Sequence, residues 1–248
     1  MTPIVLVTGA SSGIGEALCR ECVAKGWKAI GIARSRDRLL ALQAELGQGK
    51  FYPVVCDVTD ATAVLSASEE LVKVGLIPTI FFLNAGIAGE ECEEDPSHFD
   101  LAKHRQIMDV NYFGALTWVM AWEAVCKNNG GATFVATSSV NAFWAPPKGT
   151  AYAASKAAIA KAFEGLAATY VGSNLRFLVV YPGPVATKGL KGSFPFTWQP
   201  TKMATYMIQC AVRGKSQCEP QLFYSILVRI LRALPYSWTV ALLKRIST

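Results

Sequence analysis

The stretch TGASSGIG, residues 8–15, is a glycine-rich loop with the spacing Gly-x-x-x-Gly-x-Gly. It follows the short apolar run PIVLVT, which predicts a buried strand, and it opens a segment that predicts a helix ending near Lys25. Gly9 permits a tight turn, while Gly13 and Gly15 let a pyrophosphate and the strand come close. The helix N-terminus behind the loop favours negative charge. The loop therefore predicts a dinucleotide-binding site at the start of an α/β fold.

Strand-like apolar runs alternate with helical segments along the rest of the chain. Further strands are predicted at 27–33, 51–58, 79–86, 132–139 and 175–183. Further helices are predicted near 35–46, 60–74, 101–127 and 151–171. Continuous apolar strands that alternate with helices are typical of a parallel sheet covered on both faces. We therefore predict one α/β domain, residues 1–248, with a Rossmann-like, doubly wound parallel sheet.

Composition indicates a large buried core without a membrane span. Hydrophobic residues make up 52% of the 248 residues and charged residues 17%. The mean hydropathy of +0.29 is high, but we find no run of about 18 uncharged apolar residues. The opening residues MTPIVLVTGA have no basic segment and no cleavage-like site, so we expect no secretory signal. We expect a cytoplasmic protein, with membrane association left open.

Charge and cysteine usage bear on partners and metals. The net charge of +6 comes without a dense basic run, which disfavours nucleic acid as a partner. Seven scattered cysteines, an odd number, favour a reducing compartment over a disulfide framework. Cys19 and Cys22 have the spacing of a metal or redox motif, but no second pair or nearby histidine completes one. We expect these two to pack in the core, and we expect no metal.

Further motifs follow the glycine loop in a fixed order. They are Asp57 at the end of strand three, NAG at 84–86, Asn111 in the long helix, Ser139 after strand five, Tyr152-x-x-x-Lys156, and PGPVAT at 182–187. With the loop, this order resembles the short-chain dehydrogenases/reductases in their single-domain branch. The resemblance covers Thr8 to about Thr187. Leu83 departs from it, because the family often has an asparagine there; we expect the change to be tolerated at an inward-facing position.

The resemblance implies a nicotinamide cofactor and assigns contacts to it. Asp57 would hydrogen-bond the adenine ring, the NAG motif would support the sheet and the cofactor wall, and Thr187 with the backbone of its motif would contact the carboxamide. The expected cofactor-binding residues are Gly9, Ser11, Ser12, Gly13, Ile14, Gly15, Arg34, Asp57, Asn84, Ala85, Gly86, Tyr152, Lys156, Pro182, Gly183, Val185 and Thr187.

Arg34 indicates which nicotinamide cofactor is preferred. A site for NAD needs an acidic residue at the end of the second strand to bind the ribose 2′-hydroxyl, and the segment GIARSRDRL has none at that tip. A guanidinium suits a 2′-phosphate by charge and by its forked geometry. We therefore expect NADP(H) to be preferred over NAD(H). Arg36 and Arg38, just beyond, are interpreted as a solvated helix face.

Tyr152 and Lys156 have the chemistry of a proton donor and its partner. Hydride transfer to a carbonyl needs a proton for the developing alkoxide, and free tyrosine has a pKa near 10. Lys156 lies one helical turn on, where its charge favours the phenolate and lowers that pKa. Ser139 would bind the substrate oxygen. The family assigns Asn111 a relay water, although it could instead brace a helix kink. The expected catalytic residues are Asn111, Ser139, Tyr152 and Lys156.

Aromatic residues in two loops indicate an apolar substrate. Phe143 and Trp144 lie between Ser139 and Tyr152, and Phe194 lies in residues 188–200, where the family has a mobile lid. We expect Ser139, Phe143, Trp144 and Phe194 to line the substrate pocket; ordinary packing under a loop is the alternative for each aromatic. The acidic run at 89–96 is interpreted as a solvated loop.

Residues 222–248 form a C-terminal amphipathic helical extension that Pro235 interrupts. It could cover the substrate site, form an oligomer contact, or lie on an anionic membrane. The long helices that carry Asn111 and Tyr152 resemble the family's dimerising pair, and the second is rich in small residues. We therefore expect a homodimer or homotetramer.

These observations predict an NADP(H)-dependent oxidoreductase that acts on a small-molecule ketone, aldehyde or secondary alcohol. The alternative is a non-catalytic NADP(H) sensor or interaction protein on the same fold, since fold does not dictate function. That alternative gives no reason for all four catalytic positions to carry chemically competent side chains.

Overall fold

The computed structural model describes residues 2–88, 99–146, 149–190, 192–235 and 238. Within them, parallel strands form one sheet in the order β3-β2-β1-β4-β5-β6-β7. The strands are β1 (Ile4–Thr8), β2 (Lys28–Ala33), β3 (Phe51–Val55), β4 (Ile80–Leu83), β5 (Ala132–Thr137), β6 (Leu175–Val180) and β7 (Gln217–Cys218). The predicted doubly wound parallel sheet is confirmed. β7 is an addition to the predicted strands.

Helices connect the strands and cover the sheet. They are α1 (Gly13–Ala24), α2 (Arg36–Leu46), α3 (Ala61–Lys73), α4 (Leu101–Met108), α5 (Gly114–Asn128), α6 (Thr150–Thr169), α7 (Pro200–Val212) and α8 (Leu222–Ala233). A π-helical turn, Asp109–Phe113, divides the predicted long helix into α4 and α5. A short 3-10 turn, Val140–Ala142, precedes α6. The sequence did not predict α7. α8 confirms a helix at the start of the predicted extension 222–248, of which residues 236, 237 and 239–248 lie outside the described residues.

The core lies on both faces of the sheet, as continuous apolar strands require. Alternate residues of β1 point to opposite sides, so Val5 packs with α1 and α7, whereas Leu6 packs with α5 and α6. Trp118 and Trp122 of α5 are fully buried on the second side. Each such side chain contributes on the order of 2 kcal/mol through burial. Leu83, the departure from the family pattern, is also buried, as expected.

The sheet reverses its winding between β1 and β4, which are hydrogen-bonded neighbours. The connection after β1 runs towards β2 and that after β4 towards β5, so the two loops diverge and leave a crevice between them. Ligands of such sheets bind at this crevice, at the carboxyl ends of the strands. The glycine loop and the NAG motif both begin there.

Two cysteines pair in a way that the sequence did not predict. A disulfide joins Cys210 of α7 to Cys218 of β7. Cys19 and Cys22 are buried in the core, as expected, and burial raises the pKa of Cys22 to about 12. Cys92 and the rest of the acidic run lie outside the described residues. Among the helices that the structure describes, none is long and apolar enough to cross a bilayer.

Candidate active site

The glycine loop has the close approaches that its glycines predict. Gly9 and Gly13 have φ of 71° and 57°, in the left-handed region that favours glycine. A Cβ on Gly15 would lie 2.2 Å from the carbonyl oxygen of Gly9, so no side chain fits there. Ser12 precedes α1 in an extended conformation and its side chain does not cap the helix. The amide groups of the first turn of α1 therefore suit a phosphate.

The NAG motif braces the glycine loop from the neighbouring strand. The hydroxyl oxygen of Thr8 accepts hydrogen bonds from the backbone N–H groups of Asn84 and Ala85, both at 2.9 Å. Asn84 also bonds through its side chain to the carbonyl of Thr8 at 3.4 Å and to the hydroxyl of Thr137 at 3.3 Å. Its side chain thus links β1 to β5 across the end of β4. A role of this motif in the cofactor wall stays a prediction.

Lys156 lies at the carboxyl end of β5, beside Tyr152. Its ammonium donates a 2.8 Å hydrogen bond to the carbonyl of Thr137 and lies 5.7 Å from the ring centre of Tyr152. Lys156 is 5% exposed, whereas Tyr152 is half-buried. The hydroxyl of Ser138 donates to the carbonyl of Lys156 at 2.7 Å, so Ser138 is bonded to the backbone of α6. The pair therefore lies at the edge where the crevice opens.

Ser139 lies where β5 gives way to the 3-10 turn. It is nearly buried, with 8% exposure, and its hydroxyl oxygen accepts a 3.2 Å hydrogen bond from the N–H of Asn141. That bond fixes the side chain locally. Ser139, Tyr152 and Lys156 thus all lie on or beside the end of β5.

Asn111 is buried in the π-helical turn and is held by protein groups. Its side-chain oxygen accepts from the N–H of Ile87 at 2.8 Å, and its amide donates to the carbonyl of Ile87 and the hydroxyl of Ser155 at 3.2 and 3.0 Å. Ser155 in turn donates to the carbonyl of Tyr152 at 2.7 Å. Asn111 therefore braces the segment after the NAG motif against α6. The relay water stays a prediction.

Gly86 brings Asn111 and Lys156 together. A Cβ built on Gly86 would lie 3.1 Å from the side-chain oxygen of Asn111 and 3.3 Å from the ammonium of Lys156. Both contacts are tight, so a larger residue would displace one of these groups. The last residue of the NAG motif thus leaves room for two of the predicted catalytic side chains.

Arg34 is exposed at the tip of β2 and faces Asp57. Its guanidinium lies 3.8 Å from one carboxylate oxygen of Asp57, and its side chain is 71% exposed. The other oxygen of Asp57 accepts from the N–H and the hydroxyl of Thr59, both at 2.9 Å. The sequence shows no acid at the tip of β2, but it does not show that Asp57, two residues after β3, lies beside Arg34.

The loop after β6 is tied to the C-terminal part of the chain. The side chain of Gln221 accepts from the N–H of Gly183 at 2.8 Å and donates to the carbonyls of Pro184 and Phe196 at 2.8 and 3.2 Å. Thr187 approaches the glycine loop, since a Cβ on Gly13 would lie 3.1 Å from its methyl group. Sequence reasoning missed Gln221, because no local pattern marks a buried glutamine.

Comparison with known proteins fits this arrangement. Residues 3–196 match the family described as short chain dehydrogenase. The chain belongs to this family.

Relatives extend over most of this short-chain dehydrogenase. Sulfoacetaldehyde reductase 2 of Chromohalobacter salexigens is 32% identical over 190 residues, which are 76% of this chain and 75% of that protein. A Haemophilus influenzae protein named probable NADP-dependent dehydrogenase is 30% identical over 185 residues. The match covers 73% of this chain and 71% of that protein.

Solved structures show the same fold. A short-chain dehydrogenase from Streptomyces avermitilis matches with a TM-score of 0.82 at 23% identity, over 92% of this chain and 91% of that one. A Burkholderia cenocepacia short chain dehydrogenase in complex with NADP matches with a TM-score of 0.79 at 24% identity. The match covers 94% of this chain and 93% of that one. These identities are low, so the likeness is one of fold alone.

The predicted substrate residues of this short-chain dehydrogenase are in different environments. Phe143 stacks on Tyr181 with ring centres 4.7 Å apart, and the guanidinium of Arg229 lies 4.4 Å from the Phe143 ring centre. Trp144 is half-buried, and Phe194 is 44% exposed. Residues 147, 148 and 191 of these loops lie outside the described chain. Phe143 thus has the packing contacts that were the alternative to a substrate contact.

Proposed function

We propose that this short-chain dehydrogenase is an NADP(H)-dependent oxidoreductase that interconverts a carbonyl and a secondary alcohol on an apolar small molecule. One observation carries the proposal. Lys156 lies beside the Tyr152 ring and bonds to the last residue of β5, and Ser139 follows that strand by two residues, at the edge of the sheet that the glycine loop borders. A proton donor, a cation and a hydroxyl at this edge are the groups that carbonyl reduction requires.

The geometry of the glycine loop supports binding of the pyrophosphate of a dinucleotide. The 2.2 Å approach at Gly15 and the uncapped start of α1 leave a cradle of backbone N–H groups, in which a pyrophosphate would be held. The cofactor, when bound, supplies or accepts the hydride. The contacts of Gln221 hold the 182–187 loop, whose backbone would contact the nicotinamide carboxamide.

In the reduction direction, the hydroxyl of Tyr152 donates its proton to the developing alkoxide. The positive charge of Lys156 favours the phenolate that remains, and the hydroxyl of Ser139 donates a hydrogen bond to the same substrate oxygen. In the oxidation direction, the Tyr152 phenolate takes the proton from the alcohol. Asn111 holds the π-helical turn against α6 and, in our proposal, a water that returns protons to Lys156.

Arg34 supports NADP(H) over NAD(H). Its exposed guanidinium stands at the end of β2, where an adenosine 2′-phosphate would lie, and Asp57 orients it from one side. The Haemophilus influenzae relative is named NADP-dependent, which agrees with this preference.

Self-association through α5 and α6 is part of the proposal. Phe113 and Met120 expose apolar side chains on the α5 side, with 53% and 60% exposure. α6 exposes Ala154, a small residue that permits close helix packing. A homodimer or homotetramer would cover these side chains. Met120→Glu should then shift the sedimentation coefficient towards that of the monomer.

A carbonyl panel tests the proposal against a non-catalytic cofactor sensor. NADPH absorbance is followed with aldehydes, sugars, acyl thioesters and steroids, alongside calorimetric binding of NADPH. Turnover of an apolar carbonyl supports the enzyme, whereas NADPH binding without turnover of any compound favours the sensor.

A further inference from the structure

The C-terminal helix exposes an apolar face that continues onto the lid loop. Leu222, Phe223, Ile226 and Ile230 of α8 are each more than half exposed and lie at helical spacing. Phe196 lies in residues 192–199, before α7, and we call this segment the lid loop. It is 68% exposed and makes an edge-to-face contact with Phe223, with ring centres 5.4 Å apart. We call these five residues the α8 face. The contact between Phe196 and Phe223 joins the two elements into one patch. Exposed apolar patches of this kind mark interaction sites.

The opposite side of α8 is anchored to the protein. Val228 and Gln221 are buried, and the hydroxyl of Tyr224 donates to the carbonyl of Pro195 in the lid loop. Arg229 makes two hydrogen bonds to the carboxylate of Glu219, at 2.7 and 2.5 Å. The helix is therefore held in one orientation, and this orientation directs the α8 face outward.

The conformation of Phe196 also presents it outward. It is the non-glycine residue with positive φ in the described chain, at 55°. A bulky side chain adopts this region only against a steric cost. The Phe196 ring is nevertheless exposed, so it adds to the apolar patch that a docking surface would cover.

Charge indicates which surface that is. The sequence from Leu222 to Thr248 has four basic residues, Arg229, Arg232, Lys244 and Arg245, and no aspartate or glutamate. Lys188 and Lys202 are exposed on either side of the lid loop. Glu219 engages Arg229, and the other basic residues leave this part of the sequence with an excess of positive charge. An exposed apolar patch in such a basic segment matches the interface of an anionic lipid membrane.

We propose that the α8 face docks on the surface of an anionic membrane, with its apolar side chains at the level of the headgroups. The docked helix lies along the surface and does not cross it. A second copy of the chain is the other occupant that an exposed apolar face could take, and the test below separates the two. The proposal does not depend on the proposed reaction.

Vesicle flotation of the full chain tests this proposal. The probes are vesicles of phosphatidylcholine alone and vesicles that also contain phosphatidylserine. Ile226→Glu and, separately, Phe223→Glu place a charge in the α8 face. Val171→Glu makes the matched change at an apolar residue that is 82% exposed after α6. Circular dichroism and NADPH binding check that each variant is folded, and size-exclusion chromatography records its oligomeric state.

We expect the parent and Val171→Glu to float with the vesicles that contain phosphatidylserine. Added salt should weaken the vesicle binding of both proteins. Ile226→Glu and Phe223→Glu should bind these vesicles at least about tenfold more weakly, because a charge replaces an apolar side chain that the docked membrane would cover. Failure of the parent to bind, equal binding to both kinds of vesicle, or unchanged binding of both α8 variants would overturn the proposal. Conversion of an oligomer to monomers by Ile226→Glu, without loss of vesicle binding, would assign the face to a second copy.

Discussion

The backbone N–H of Gly183 donates a 2.8 Å hydrogen bond to the side-chain oxygen of Gln221, which joins the loop after β6 to the start of α8. The amide of Gln221 donates in turn to the carbonyls of Pro184 and Phe196. One buried side chain therefore fixes the loop beside the proposed nicotinamide position and the segment around Phe196 that follows it. The C-terminal helix is part of the site's framework rather than an appendage.

Gln221→Leu should loosen this loop. The substitution leaves the Gly183 N–H and the Pro184 carbonyl without their partner, which costs on the order of 1–3 kcal/mol in the free energy of unfolding. We also expect weaker NADPH binding, measured by fluorescence titration. Gln199→Leu is the matched control at an exposed glutamine before α7. Equal NADPH affinities for the two variants would contradict the positioning role.

Arg34→Asp should reverse the cofactor preference. A carboxylate repels the 2′-phosphate and can accept a hydrogen bond from a ribose 2′-hydroxyl. The Kd for NADPH should rise at least about tenfold while that for NADH stays equal or falls. Arg38→Asp, further into α2, is the control and should leave both affinities unchanged. An unaltered NADPH affinity in Arg34→Asp would remove Arg34 from the cofactor site.

Gly15→Ala should disrupt the glycine loop. The added methyl would lie 2.2 Å from the carbonyl oxygen of Gly9, so the backbone must shift. We expect a loss of about 1–3 kcal/mol in unfolding free energy, read from denaturant titration, and a loss of NADPH binding. Gly165→Ala is the control, because a Cβ there meets nothing within 4 Å. It should be neutral or slightly stabilising.

The pair Arg229–Glu219 should make part of the stability acid-sensitive. The hydrogen bond from Arg229 holds the pKa of Glu219 below its usual value. A depressed pKa stabilises the fold above the unfolded value of about 4.3 and loses that contribution as pH falls through the folded value.

Arg229→Met tests this dependence. It should lower the free energy of unfolding by about 1 kcal/mol near neutral pH. The difference from the parent should shrink below about pH 4.3. Arg232→Met, at an exposed arginine of the same helix, should give no such pH dependence. A constant difference between parent and Arg229→Met across this range would show that the ion pair is not its source.

Local patterns in the sequence predict much of the fold and the arrangement around Tyr152. The strand–loop–helix at Gly9 and Gly15 depends on neighbours along the chain, and Lys156 follows Tyr152 by one helical turn. Both are therefore visible in a single sequence. The buried strands are visible for the same reason, since a parallel sheet covered on both faces needs continuous apolar runs.

What the sequence did not predict depends on distant contacts or on small changes in helical geometry. Gln221 bonds to Gly183 across 38 residues, and β7 has only two residues, too few for a period to show. The disulfide follows from the unpredicted α7 and β7. The π-helical turn at Asn111 adds a residue to the helix, which an apolar pattern does not register.

The central claim is that Tyr152 transfers a proton beside Lys156, and single-turnover hydride transfer from NADPH in Tyr152→Phe tests it most directly. The control is Tyr170→Phe, at the far end of the same helix. We predict a loss of at least about a hundredfold in the rate for Tyr152→Phe, with NADPH affinity retained, and an unchanged rate for the control. A Tyr152→Phe rate within a few-fold of the parent would contradict the account.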